Sequence, residues 1–454
     1  MRILLTVHQF LPKYSAGTEI LTLQVASELQ RRGHQITVLT GHPTSEELPI
    51  EKRFDEYDYQ GIKVIRFHHG AIPFDGQINA TEMEYNSLFM ASYFKKYLQE
   101  LKPDVVHIFH LIRLSASVIS ACKQLGIPIF MTATDFWLVC PMNQLRLPDG
   151  ELCQGPTLNS INCLRHVVEI SQPETVKQRT RGTPDWLLHL VLLAIRFNIF
   201  PQRWFTEHVR ALIMRPEFLK ARVSDLDGLF VPTRLMESVL SRNGLEREKL
   251  VFLPYGLDLA HIQPSYHRGQ SPTLRVGFIG TLYEHKGVHL LIDAVRNHLS
   301  TLDIELNVYG NTSEYPEYYQ QLVAIASDDP RIHFRGTFPN AEIGQVLTEL
   351  DVLVVPSIWY ENTPLVVYSA QAAGCPVIGT DVGGIAEVIQ HRRNGLLFEK
   401  GNVEALADAI RQLYGDRELL SVMSRAAKPP TTMQQYVDEL EEVYSACLSQ
   451  KSLP

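Results

Sequence analysis

Along most of the chain, short apolar runs alternate with longer stretches in which apolar residues recur every three or four positions, with turn residues between them. The first pattern predicts strands buried on both faces and the second predicts amphipathic helices. In the first half the strands fall at 1–7, 35–40, 63–68, 104–109, 128–132, 227–231 and 250–253, and the helices at 17–32, 114–125 and 234–242. A second series follows, with strands at 274–279, 304–309, 332–335, 351–357 and 376–380 and helices at 288–299, 315–326, 341–350 and 363–373. Strand–helix alternation with short loops predicts an α/β fold built on mostly parallel sheets covered on both sides.

The stretch 258–272 carries Pro, Ser, Gly and His with little apolar content, so it reads as a linker between a first domain, 1–257, and a second, 273–430. The closing segment, 431–454, places Val437, Leu440, Val443 and Tyr444 on one side of a helix expected to return to the first domain.

Alternation breaks down in an irregular insert, about 140–222. Cys140, Cys153, Cys163 and His166 stand there, the last two in Cys-x-x-His spacing, and three thiolates with one imidazole suit a tetrahedral structural zinc. Scattered free thiols are the alternative. The run from Trp186 to Phe205 is apolar but broken by His189, Arg196 and Arg203, which predicts a helix lying in a membrane interface or packed onto its own domain, not one spanning a bilayer. From Arg165 to Arg222 ten Lys or Arg face five Asp or Glu, a local +5 in a chain of net charge -8. That patch favours an anionic membrane or a diphosphate-bearing acceptor, while the overall charge argues against a general nucleic-acid binder. Six cysteines in 454 residues and an opening run that reads as a strand, not a signal peptide, suggest a cytoplasmic setting.

The chemistry centres on residues 351–381. A buried strand leads through Glu361 to Thr363 and Pro364, which suit a helix start, and the helix 363–373 would aim its backbone N–H groups at an anion beyond the strand ends. Beside that anion Glu361 would accept hydrogen bonds from ligand hydroxyls, and a phosphate carrying hydroxyls suggests a sugar nucleotide. Lys286, closing the loop Gly280 to Gly287, would grip the same diphosphate. Gly17, in the loop Ser15-Ala16-Gly17-Thr18-Glu19, lets backbone approach a ligand at another helix start. A solvated acid at 361 and a surface lysine at 286 are the plain alternatives.

In combination, the Ser15–Glu19 loop, Asp135-Phe136-Trp137 with Cys140-Pro141, Pro254-Tyr255-Gly256-Leu257-Asp258, Gly280 to Gly287 and Pro356 to Val377 resemble the family 4 retaining glycosyltransferases of GT-B fold. The resemblance implies two Rossmann-like, doubly wound domains facing across a cleft, with the nucleotide-sugar donor on the C-terminal one, the acceptor on the N-terminal one and no metal required for catalysis. It implies donor contacts from Gly17, Gly280, Thr281, Lys286, Glu361, Thr363, Pro364, Leu365 and Ser369, with Lys286 and Glu361 catalytic, and it puts Thr134 and Asp135 on the acceptor or sugar side. Glu361 matches the first acid of the family's Glu-x7-Glu motif, but the second position is Ser369. Thr281 replaces a frequent arginine and Thr134 a frequent histidine. The expected activity is transfer of a sugar to a glycan or lipid-linked acceptor in cell-surface polysaccharide assembly, at the inner face of the cell membrane. A nucleotide-sugar epimerase on the same scaffold and a sugar-nucleotide-binding subunit without catalysis are the alternatives.

Overall fold

The computed structural model describes all residues except 47, 71–76, 78, 201–202, 267, 270, 363 and 452–454, and leaves out the side chains of 50 and 204. The chain divides into two compact units, Met1–Pro254 with Val437–Pro454, and Tyr255–Tyr436.

The first unit is built on an eight-stranded sheet: β1 (Arg2–Val7), β2 (Gln35–Pro43), β3 (Phe54–Tyr59), β4 (Ile62–His69), β5 (Val105–Ile108), β6 (Ile129–Thr132), β7 (Gly228–Val231) and β8 (Leu250–Phe252). Their spatial order is β3-β4-β2-β1-β5-β6-β7-β8, and every pairing is parallel except β3 with β4. Central strands are buried throughout, as their unbroken apolar runs require. Strand β3, which the apolar pattern did not show, mixes acidic and aromatic residues and seats Phe54 against Phe67 and Tyr93 at the sheet edge.

The second unit carries β9 (Leu274–Ile279), β10 (Ile304–Tyr309), β11 (Ile332–Gly336), β12 (Val352–Val355), β13 (Val377–Thr380) and β14 (Gly395–Phe398), all parallel, in the order β11-β10-β9-β12-β13-β14. Chain direction across the sheet reverses between β9 and β12, and ligands of doubly wound sheets bind at that point, beyond the carboxyl ends of the strands. Asp351, with no side-chain exposure, anchors the start of β12 by accepting from both Nε and Nη2 of Arg275 at 3.1 and 2.9 Å.

Several expectations are corrected. The stretch 258–272 is not a free linker: Arg268 is buried and donates to the carbonyls of Leu347, Ala373 and Gly374 at 2.7 Å, so the segment is fastened to the second unit. The insert is irregular only in its first part, 140–157, and then folds as helices Ile161–Ser171, Glu174–Gly182, Asp185–Arg196 and Trp204–Ser224 around a small apolar cluster of Ile161, Leu192, Ile195 and Ile213. The helix expected over 288–299 is α-helical only over Val288–Asp293 and widens into a π-turn over Ala294–His298. The closing helix, Met433–Lys451, brings Tyr444 onto the sheet of the first unit, where its hydroxyl meets Nδ1 of the buried His107.

Candidate functional site

The loops leaving β9 and β12 are locked together at the reversal point. Gly287 has φ +73°, and a Cβ there would lie 1.9 Å from the carbonyl oxygen of Pro356. Only glycine permits that approach. The Ile358 N–H donates to the His285 carbonyl at 2.9 Å, closing the same seam. Lys286, last residue of the 3-10 turn Glu284–Lys286, is thereby carried to Glu361, with Nζ to Oε1 at 2.6 Å. Ser357 Oγ and Trp359 Nε1 donate to that same oxygen at 2.8 Å each. The Lys286 ammonium also stands 5.1 Å from the centre of the Trp359 ring, and the His285 ring tilts against the Trp359 ring with centroids 4.7 Å apart.

Glu361 is only 5% exposed, so its pairing with Lys286 operates with little water between the charges and is stronger than a surface pair. A cation held beside a carboxylate acceptor at the mouth of a doubly wound sheet suits a ligand that presents an anion and hydroxyls together.

The other expected donor residues surround this pair unevenly. Thr363 lies outside the described residues. Pro364 is the N-cap, not the first helical residue, the helix runs Leu365–Ala372, and among the described residues no side chain caps it. Ser369 is buried and donates back to the Leu365 carbonyl at 3.1 Å, along its own helix. Gly280 and Thr281 follow β9 directly: the Gly280 N–H donates to the Tyr309 carbonyl at 3.1 Å, and the Thr281 carbonyl accepts from Tyr283 at 3.0 Å.

A second polar cluster occupies the corresponding reversal point of the first unit, between β1 and β5. Asp135 Oδ2 meets His110 Nε2 at 2.8 Å, and Asp135 Oδ1 accepts the Trp137 N–H at 2.8 Å. His8 Nε2 lies 3.3 Å from Glu19 Oε1, and the His8 and His110 rings are 4.4 Å apart. Burial, then the neighbouring His110, holds the His8 imidazole well below its usual range, and burial pushes the Glu19 carboxyl up. Both shifts disfavour the charged form of the group concerned. Thr134 donates to the Phe109 carbonyl at 3.0 Å. Gly17 opens the helix Gly17–Arg31 with open space where a side chain would stand.

Cys140, Cys153, Cys163 and His166 do line one small cavity, as their spacing suggested. Among the described residues, however, no group of three or more His, Cys, Asp or Glu is placed to hold a metal ion. Burial raises the Cys140 thiol and pushes Cys163 up to about 12, so both sulfurs are protonated thiols as they stand. The Cys153 sulfur instead receives the Gly155 N–H at 3.4 Å and Asn162 Nδ2 at 3.5 Å.

Sequence reasoning missed Ser357, Trp359 and His285 around Glu361, and His8, Glu19 and His110 around Asp135. The one available signal was position, since His8 and Ser357 each stand just past a strand end where ligands of such sheets gather.

Two α/β units on mostly parallel sheets, with solved GT-B glycosyltransferases as structural neighbours, define a protein of GT-B fold. The pattern of Glycosyltransferase Family 4 matches residues 15–151, and that of Glycosyl transferases group 1 matches residues 273–416. The chain belongs to the family 4 glycosyltransferases. It is 32% identical over 200 residues to the D-inositol 3-phosphate glycosyltransferase of Pseudarthrobacter chlorophenolicus, covering 42% of this chain and 47% of that one. To the N-acetyl-alpha-D-glucosaminyl L-malate synthase of Bacillus anthracis it is 29% identical, covering 41% and 49%. The chain thus spans about half the length of the curated relatives it matches. Among solved structures, the sucrose-phosphate synthase of Thermosynechococcus elongatus superposes with TM-score 0.67 at 16% identity over 99% of both chains. Anabaena Alr3699/HepE in complex with UDP superposes with TM-score 0.62 at 17% identity, over 98% of this chain and all of that one.

Proposed function

We propose that the protein transfers a hexose-type sugar from a nucleoside diphosphate to a hydroxyl of a glycan or lipid-linked acceptor, retaining the anomeric configuration. The 2.6 Å contact of Lys286 with Glu361 carries this reading, because it sets a fixed ammonium and an acceptor oxygen side by side at the sheet's ligand-binding edge. As the bond from C1 to the diphosphate oxygen breaks, negative charge gathers on the leaving group. Lys286 and the N–H groups in the first turn of Leu365–Ala372 would meet it in place of a metal. The acceptor hydroxyl then bonds to C1 on the face the diphosphate leaves, and its proton passes to a phosphate oxygen. Glu361 holds hydroxyls of the sugar, while the second cluster, with Thr134 and Asp135, serves the acceptor or sugar side.

Other support comes from likeness. HepE has been solved in complex with UDP and glucose, and the curated relatives are named as glycosyltransferases. The setting we favour is polysaccharide assembly at the inner face of the cell membrane. Contact with that face is taken as peripheral; among the described residues no helix is long and apolar enough to cross a membrane.

Purified protein incubated with UDP-, GDP- and ADP-sugars should release nucleoside diphosphate only when a lipid-linked acceptor is present. Binding without release would point to a non-catalytic subunit, motivated by Ser369, Thr281 and Thr134, and sugar inversion without acceptor to an epimerase. Glu361→Gln should slow release far more than it lowers the melting temperature, and an unchanged rate removes Glu361 from the site.

A further inference from the structure

The helix Asp185–Arg196 is apolar on two faces and uses only one of them. Leu188, Leu192 and Ile195 turn inward onto the cluster with Ile161 and Ile213, which accounts for one stripe. A second stripe, Trp186, Leu190 and Phe197, follows helical spacing on the outer side and is 66%, 54% and 67% exposed. Ile199 and Phe200 prolong it past the helix end at 77% and 40%. A single exposed leucine is ordinary, but a row of aromatic and aliphatic side chains this continuous marks a surface that is covered in use.

We infer that this outer stripe is the protein's docking face for an anionic lipid bilayer, into whose headgroup region the side chains from Trp186 to Phe200 dip while the helix lies flat. Charge decides the occupant. The surrounding stretch, Arg165 to Arg222, carries +5 in a chain of net charge -8. Although Arg215 is buried against the Trp137 carbonyl, cations still outnumber acids among the rest, so the apolar row belongs to the basic stretch of an acidic chain. Arg179, in the last turn of Glu174–Gly182, and Arg203, just before Trp204–Ser224, are both exposed and flank the row along the chain. Apolar residues with large aromatics and cations at the margins match an interfacial helix on an anionic membrane. A second copy of this chain would bring two basic regions together, which opposes self-association through the same face. The inference deepens the membrane setting proposed above, but its test uses neither donor nor acceptor, so it can fail while the transferase reading stands.

The full-length chain is sedimented with vesicles of phosphatidylcholine, with and without phosphatidylglycerol. Binding is expected on the anionic vesicles, weaker on the neutral ones and weaker again as salt is raised. Leu190→Ser with Phe197→Ser, both exposed, should keep the wild-type melting curve and weaken vesicle binding about ten-fold or more. Arg179→Glu with Arg203→Glu should remove the preference for anionic lipid. No binding by the wild type to the anionic vesicles, or equal binding by the serine variant, overturns the proposal. So does a dimer in sedimentation velocity that the serine variant abolishes, since the face then belongs to a second copy.

Discussion

The two reversal points, one in each unit, occupy the same topological place and hold different chemistry. Between β9 and β12 an ammonium and a carboxylate face each other at 2.6 Å, reinforced by a hydroxyl and an indole N–H on the same oxygen. Between β1 and β5 two imidazole–carboxylate pairs lie in ring contact, and one of them, His8 with Glu19, is so buried that charge is disfavoured on both partners. A parallel sheet supplies the location in both cases. Whether it becomes an ammonium–carboxylate grip or a set of imidazole–carboxylate pairs depends on which side chains stand past the strand ends and how much water they keep. The first arrangement suits an anion, and the second suits uncharged hydroxyls.

The most direct way to break the comparison is Gly287→Ala, which forces a methyl into the Pro356 carbonyl and strains a left-handed residue. It should destabilise the second unit by roughly 3 kcal/mol or more while the first unit's unfolding transition stays in place, as read by calorimetry.

Acid should separate the units next. His107 is buried and its pKa is lowered to about 3 by that burial, so the native state resists the proton that the unfolded chain takes up near its usual value. Its neutral form is therefore no burden above about pH 6.5, and stability is lost as pH falls from there towards 3. Between pH 6.5 and 4 wild type should lose about 3 kcal/mol relative to His107→Gln. Asp351 has the same sign but a lower window. Burial alone would raise it, but the bonds from Arg275 and Gly269 hold its pKa below the usual value, so its contribution persists above the unfolded value and fades only as pH falls through the lower, folded one. On this account hydrogen exchange should show the first unit loosening before the second, and simultaneous loosening would contradict it.

Lys286→Met tests the charged grip itself. Donor affinity should fall by roughly 1.5–3 kcal/mol, the scale of a hydrogen bond to a charged group, measured by calorimetric titration with the preferred nucleotide-sugar. Equal affinity in the two proteins would leave the second unit's site without its anion partner. The smallest effect is expected at Ser369, whose hydroxyl already bonds its own helix. Ser369→Ala should change stability by no more than about 0.5 kcal/mol and leave donor affinity unmoved, whereas a marked loss would show that the hydroxyl turns to the ribose.

The regular strands and helices were legible because their signal is local: period-two or unbroken apolar runs for strands, three- or four-residue recurrence for helices, and glycine at stops. Edge strands β3 and β14 and the insert helices Ile161–Ser171 and Glu174–Gly182 carried weaker patterns and escaped, whereas the helix Asp185–Arg196 was legible in the apolar run from Trp186. At the site, Lys286 and Glu361 could be named from their loops, and the family likeness of residues 280–287 and 356–377 supported both. His8, Glu19 and His110 could not be found that way, because no spacing along the chain links residue 8 to residue 110.

What the amino-acid order determined by itself was therefore the alternation of elements and the identity of the residues at strand ends. Only the tertiary structure decided which ends met: that β9 lies beside β12, that Gly287 must be glycine because a carbonyl from another loop lies against it, and that the four residues chosen as zinc ligands gather without a metal-binding arrangement. The physical reason is that periodicity records what a segment buries, while a site is made by strand pairings and burial between segments far apart in sequence, and those fix both distance and charge state.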